Sequence, residues 1–281
     1  MRPNPLRQRL QAGLPTLGTH TLSSWPTLVE LVAQAGNYHY VEFSGEYAPF
    51  TTYDLDNLGR VYELTGLAGM IKVEQTQWTH QAMRAIGSGF QGVLFADLRS
   101  VDDARACVAA VRAETLLPTR GRGLLGVGMR RDVGTVREAG LPSYVEGLDQ
   151  IVVALMIEKR EAMECLDALL DVPGIDMLQF GPADFAMSIG HPGAFAHPDV
   201  VAAERTMIQK ALARGLHPRA EIREPAQAKP YWEMGVTDFC MGWDVSILHD
   251  YWRGRGEMMA EMFAGDAPRA PATERPAGNY R

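Results

Sequence analysis

Short apolar runs of strand length alternate with segments of helical period along nearly the whole chain, and this alternation limits the available folds more than any other feature. The strand-like runs are Pro15–Thr21, Tyr38–Phe43, Ala68–Val73, Gly92–Ala96, Ile151–Ile157, Asp176–Phe180, Leu216–Glu221 and Thr237–Met241. Between them, Leu28, Leu31, Val32 and Ala35 share one helical face, and Val101, Ala104, Val108 and Val111 share another. A third is drawn by Ala162, Met163, Leu166, Leu169 and Leu170. Strands separated by single helices pair in parallel through crossover connections. Eight of them predict an α/β fold closed into a (β/α)8 barrel rather than an open sheet. The 281 residues suit one such domain, expected over residues 1–264 with a C-terminal helix included. Residues 265–281, rich in Ala, Pro and Arg without periodicity, are expected to form a disordered tail.

Composition narrows the function. A net charge of −7 and a pI near 5.5 argue against nucleic acid, because neutralising phosphates needs a basic face. No apolar run is long enough to span a membrane, and the N-terminal residues lack the apolar stretch of a signal peptide. Cys107, Cys165 and Cys240 are far apart and show no zinc-ligand spacing, which suits small hydrophobes in a reducing cytoplasm.

Polar residues recur where apolar strands end: Glu42 to Glu46, Lys72 to Glu74, Asp97, Glu158, Asp184 and Glu221. Barrel enzymes carry their chemistry on that carboxyl-end face. The long stretch from Leu116 to Gly147 holds Arg120, Gly121, Arg122, Gly123, Gly126, Gly128, Arg130 and Arg131. Its glycines match a dinucleotide-binding pattern, yet no clear strand precedes them and no amphipathic helix follows. The expectation is instead a basic, mobile loop over the active-site mouth, meeting an anionic substrate.

Two carboxylates carry the sharpest signal. A strand of Ile, Val, Ala and Leu ends in Glu158, and the next strand ends in the turn Gly181-Pro182-Ala183-Asp184. Carboxylates at the ends of adjacent barrel strands can share a hard divalent cation such as Mg, Mn or Co. The backbone N–H groups of Ala183 and Asp184 suit a substrate carboxylate. Taken singly, Glu158 reads equally well as a partner of Lys159 or Arg160, and Asp184 as a helix cap.

The motifs Ile157-Glu158-x-Arg160-Glu161-Ala162 and Gly181-Pro182-Ala183-Asp184, with the weaker Leu17-Gly18-Thr19-His20 and Gly45-Glu46-Tyr47-Ala48-Pro49, resemble the HpcH/HpaI aldolase family. These are class II, metal-dependent pyruvate aldolases of the 4-hydroxy-2-oxoheptanedioate aldolase kind. The resemblance runs colinearly from about Leu6 to Phe263. It implies a TIM barrel of the phosphoenolpyruvate/pyruvate type, assembled as a homo-oligomer, a hexameric trimer of dimers, with a C-terminal helix exchanged between neighbours. Asp244 to Phe263, with Ile247, Leu248, Trp252, Met258, Met259 and Met262, is the candidate for that helix; packing on its own barrel is the alternative. The resemblance also makes Glu158 and Asp184 the metal ligands, with Gly181, Pro182, Ala183 and Asp184 around the pyruvate carboxylate.

Two departures from the family pattern stand out. Where it has Asp-Gly-Glu-His, with an Asp–His pair moving the proton, this chain reads Ser44-Gly45-Glu46-Tyr47. Tyrosine is protonated at neutral pH, so Tyr47 is expected to act as an acid, as a base if a cation lowers its pKa, or as a packed ring. Where the family has an arginine on the ketone oxygen, Lys72 stands, an oxyanion donor or, if desolvated, a base or Schiff-base nucleophile. Met156 replaces a polar glutamine, Ser44 is expected near the substrate, and His20 and Glu46 are replacement candidates for proton transfer. Retro-aldol cleavage of a 4-hydroxy-2-oxo acid to pyruvate or an analogue is the favoured expectation. Rivals are an oxaloacetate-type decarboxylase or enolate-condensing enzyme, a Lys72 Schiff-base enzyme, and a non-catalytic barrel that binds oxo acids.

Overall fold

The structure is a computed structural model and describes residues 1–128, 131 and 139–264. The expected tail at 265–281, and Arg130, lie outside the described residues. Eight parallel strands close into a barrel in sequence order: β1 Thr16–Thr21, β2 Tyr40–Ser44, β3 Ala68–Val73, β4 Gly92–Phe95, β5 Val152–Ile157, β6 Met177–Phe180, β7 His217–Ile222 and β8 Asp238–Trp243. All eight predicted strands are present, with ends shifted by a residue or two. The helices are α1 Pro5–Gln11, α2 Pro26–Gln34, α3 Thr52–Thr65, α4 Trp78–Ser88, α5 Val101–Ala109, α6 Pro142–Asp149, α7 Arg160–Glu164, α8 Leu166–Leu170, α9 Pro182–Ser188, α10 Pro198–Ala213, α11 Ala228–Glu233 and α12 Asp244–Ala264. Capping boxes at Thr51 and Ser100, with Asp54 and Asp103 closing them, start α3 and α5 by satisfying orphan N–H groups. Met1–Trp243 forms one compact unit and α12 belongs to a second. No described helix is long and apolar enough to cross a membrane.

Successive strand side chains point to opposite faces, so parity sorts each strand. One set packs against the surrounding helices: Val41, Phe43, Ile71, Val73, Val153, Leu155 and Ile157. The other fills the barrel: Tyr40, Ala68, Met70, Leu94, Val152, Ala154, Met156 and Met177, with Leu6 and Leu10 of α1 joining them. Gly18 leaves room for the Tyr40 ring, whose atoms would lie 2.2 Å from a Cβ there. Farther along the same rows the parity delivers Glu42, Lys72, Glu158, Gln179, Arg219 and Glu221, so the apolar lower barrel gives way to a polar upper one.

Two sequence expectations fail in instructive ways. On α2 the buried residue is Val29, whereas Leu31 is 51% exposed and Ala35 lies beyond the helix. The periodicity of a short helix defines its face only to within one position. From Arg120 to Gly123 the Gly-rich basic stretch lies away from the mouth. Arg120 pairs with Asp176, its N–H donates to Asp149 Oδ1 at 2.7 Å, and Gly123 would place a Cβ 2.0 Å from the Arg112 carbonyl oxygen. Asp149 ends α6 just before β5 and Asp176 immediately precedes β6, so this part of the stretch lies at the amino end of the barrel. A segment running from a helix towards the next strand belongs on that side by topology, and its Arg120 serves a structural carboxylate.

Candidate active site

The carboxyl ends of the strands converge on one cluster of charges. Glu158 leaves β5 only 2% exposed, with Oε1 accepting the Asp97 N–H at 2.7 Å. Asp97 adopts φ 63°, a left-handed conformation uncommon for a residue with a side chain, and this turns its amide toward Glu158. Asp184 occupies the first turn of α9, beside the N–H groups that no intrahelical carbonyl accepts. Lys159 is the tie between them: its ammonium lies 2.6 Å from Asp97 Oδ1 and 2.8 Å from Asp184 Oδ1. Thus Lys159 does find a carboxylate, but it is Asp184 rather than Glu158.

Burial raises the Glu158 carboxyl to about 7, helped by the nearby Asp184 charge and opposed by Lys72, the Asp97 amide and Lys159. A carboxylate that has lost its water and is paid back only in part invites a cation. Gly181 leaves space beside it, since a Cβ there would lie 2.6 Å from Glu158 Oε2 and 3.0 Å from Met156 Cε. Two carboxylates, one buried, beside a cradle that a side chain would fill, fit a hard divalent cation. Gly181→Ala is accordingly expected to weaken Mn2+ binding at least tenfold while the fold survives, checked by titration calorimetry and circular dichroism. Among the described residues His191, His197 and Asp199 also have the spacing of metal ligands. There, however, His197 Nδ1 accepts the Asp199 N–H at 3.2 Å and caps α10, and its ring stacks on His191 at 3.8 Å.

Lys72 lies opposite, 6% exposed, with its ammonium 2.5 Å from Glu46 Oε2 and 3.4 Å from the Tyr47 hydroxyl. Burial pulls the lysine pKa down, yet Glu46, Tyr47 and Glu158 outweigh it and the net shift is upward. The lowered pKa considered for a basic or nucleophilic Lys72 is therefore not what the structure produces: the residue stays charged. Tyr47 changes in the same sense. Burial raises its pKa more than Lys72 lowers it, so the phenol is a proton donor and not a base, although its ring also sits 4.7 Å from the ammonium. Ser44 is fully buried at the end of β2, in register with Lys72, and its hydroxyl has no hydrogen-bond partner among the described residues.

On the far side, His20 of β1 stacks on Trp243 with centroids 5.0 Å apart, and its Nδ1 lies 3.5 Å from Glu221 Oε1. Glu221 Oε2 accepts from Gln179 Nε2 at 2.9 Å, Gln179 Oε1 accepts from Arg219 Nε at 2.6 Å, and Arg219 pairs with Glu42 inside the barrel. Gln179, Arg219 and Lys159 were not picked out as site residues from sequence. The signal available for Gln179 was its parity with the apolar Met177 on β6, and for Arg219 its parity with Glu221 on β7.

Comparison with known proteins places the family and the fold. Residues 60–223 match the family model described as HpcH/HpaI aldolase/citrate lyase. The chain is 32% identical over 253 residues to a 4-hydroxy-2-oxo-heptane-1,7-dioate aldolase of Salmonella arizonae, covering 87% of this chain and 90% of the relative. A solved HpcH/HpaI aldolase/citrate lyase family protein from Burkholderia cenocepacia superposes with TM-score 0.80 at 26% identity, over 92% of this chain and 100% of that one. The citrate synthase SbnG shares the fold at TM-score 0.78 and 22% identity, over 94% and 99% of the two chains. The chain belongs to the HpcH/HpaI aldolase/citrate lyase family, enzymes that break or join carbon–carbon bonds.

Proposed function

We propose that this enzyme is a divalent-metal-dependent carbon–carbon lyase that cleaves a 4-hydroxy-2-oxo acid by retro-aldol chemistry, releasing an aldehyde and pyruvate or a close analogue. The observation that carries the reading is the pair Glu158 and Asp184 at the carboxyl ends of β5 and β6, one buried and raised to about 7, with Lys72 close enough to act on Glu158. Glu158 and Asp184 would hold the ion, Mg, Mn or Co, which supplies Lewis-acid stabilisation of enolate charge when bound. Lys159 and the Asp97 amide orient the two carboxylates. The Ala183 and Asp184 amides face the substrate carboxylate, with Gly181, Pro182 and Met156 shaping that end. Lys72, kept charged by Glu46, donates to the ketone oxygen as negative charge develops, and Tyr47 donates a proton or hydrogen bond beside it. Ser44 offers a hydroxyl next to Lys72. Free cysteines support a cytoplasmic setting, and the exposed Ile247, Trp252, Met258 and Met262 of α12 support a homo-oligomer.

The test is exchange of the pyruvate methyl protons in deuterated water, followed by proton NMR. Exchange is expected with Mn2+, absent in chelator, and restored by added metal. Exchange that survives chelation, or a covalent adduct trapped by borohydride at Lys72, would replace this reading with a Schiff-base one. Oxalate binding without exchange would make the protein a non-catalytic barrel.

A further inference from the structure

Retro-aldol cleavage requires a group that removes the hydroxyl proton, and the groups on the β2 and β3 side do not supply one. Tyr47 and Lys72 are both held in their protonated forms, and Glu46 is tied to Lys72. At the carboxyl ends of β1 and β7 the upper barrel builds a different arrangement. We propose that His20 and Glu221 form the proton-transfer pair of this enzyme, with His20 Nε2 accepting the substrate hydroxyl proton and Glu221 positioning the ring. The proposal rests on the lyase reading above.

Four features carry it. Glu221 Oε1 faces His20 Nδ1 at 3.5 Å, which places the neutral ring's proton on Nδ1 and leaves the lone pair on Nε2. That Nε2 is buried and has no hydrogen-bond partner among the described residues. An acceptor left unpaired away from water is unfavourable, and a bound hydroxyl would satisfy it. Stacking on Trp243, with planes 29° apart, fixes the ring. Finally, Glu221 cannot swing away, because Gln179 holds its other oxygen and the buried Arg219–Glu42 pair holds Gln179. Although desolvation opposes its charge, the contact with His20 and the positive charges of Arg219 and Lys72 lower the Glu221 pKa, so it remains an anion at neutral pH.

The proton balance is simple. The C4 hydroxyl gives its proton to Nε2 and its O–H electron pair becomes the aldehyde C=O. The C3–C4 bond breaks, its electrons passing to C3 and onto the C2 oxygen as the enolate. The imidazolium then returns a proton to C3, forming the pyruvate methyl group, so nothing is oxidised or reduced and the enzyme regains its starting state. The imidazolium formed midway is stabilised by Glu221, as a neutral glutamine would not do.

Three variants test this with the full-length, Mn2+-loaded protein: His20→Gln, Glu221→Gln and the double mutant. His20→Gln is expected to lower kcat for both cleavage and methyl exchange roughly 100-fold or more, with KM and Mn2+ affinity near wild type and partial rescue by added imidazole. Glu221→Gln should lower kcat roughly tenfold at unchanged KM, and add little on top of His20→Gln, because the two act as a unit. Rescue by imidazole distinguishes a lost base from a disturbed fold. A wild-type protein that neither cleaves nor exchanges would overturn the lyase reading and the pair with it. A wild-type protein that exchanges, beside a folded His20→Gln variant within twofold of it, overturns the pair alone.

Discussion

Glutamine in place of Glu158 is expected to abolish Mn2+ binding and turnover while making the metal-free protein more stable at pH 8. The two effects share one cause. Burial strips the carboxylate of water, and the Asp97 amide, Lys72 and Lys159 offset that only in part, so its pKa stands at about 7 instead of the ordinary 4.5. A raised carboxyl pKa means that the folded state binds the proton more tightly than the unfolded chain. Below about pH 4.5 the group is neutral in both states and costs nothing. Between 4.5 and 7 the unfolded chain ionises first and stability falls as pH rises. Above 7 the penalty is complete, on the order of 3 kcal/mol from the size of the shift. Glutamine removes it. Thermal unfolding in chelator should therefore show no stabilisation by Glu158→Gln at pH 4 and a clear one at pH 8, and calorimetry should show no Mn2+ binding. Wild-type metal affinity in the variant would remove Glu158 from the ligand set.

The largest loss of stability is expected from Asp176→Ala, far from the chemistry. Asp176, 4% exposed, accepts from Arg7 Nη2 at 2.6 Å and from the Val153 N–H at 2.9 Å, and it pairs with Arg120 and lies 4.0 Å from Arg112. Arg112 is wholly buried; burial lowers its pKa to about 10, with Asp176 the leading charge acting in the opposite direction. Removing one partner of a buried ion pair typically costs about 3–5 kcal/mol, because the remaining charge is uncompensated. Here three guanidinium groups lose their common anion, while α1, the α5–α6 segment and the starts of β5 and β6 lose the tie between them. In a chain of this size that predicts a fall in Tm of roughly 10 °C or more. Mn2+ affinity of the folded fraction should be unchanged, since the site lies at the other end of the strands. A shift of only one or two degrees would show that packing, not this cluster, closes the amino end.

How much of the site was legible follows from how far apart in sequence its partners lie. Glu158 follows directly on β5, and Asp184 sits in the first turn after β6, so local pattern alone brings them to one end of the barrel. Lys159, one residue from Glu158, was legible as a charge but not as the residue that bridges Asp97 and Asp184, because no sequence spacing states which way a long side chain turns. Asp97 offered no hint of its left-handed backbone. The Arg219–Glu42 pair joins β7 to β2, which do not neighbour each other in the barrel, and only closure brings them face to face.

The protonation states divide the same way. Residue type alone makes lysine and tyrosine candidates for either proton role near a cation or in a dry pocket. In the folded barrel Glu46 sits on Lys72, and burial outweighs that ammonium at Tyr47, so both keep their protons. The chain's local pattern was enough for the eight strands and for the end of the barrel at which Glu158 and Asp184 emerge, because those depend on periodicity and on chain direction. Only the tertiary structure brings Arg120 of the basic Gly-rich stretch to Asp176 below, and His20 of β1 to Glu221 of β7 past the intervening β8. Both depend on distances between residues that nothing in the chain's local pattern brings together.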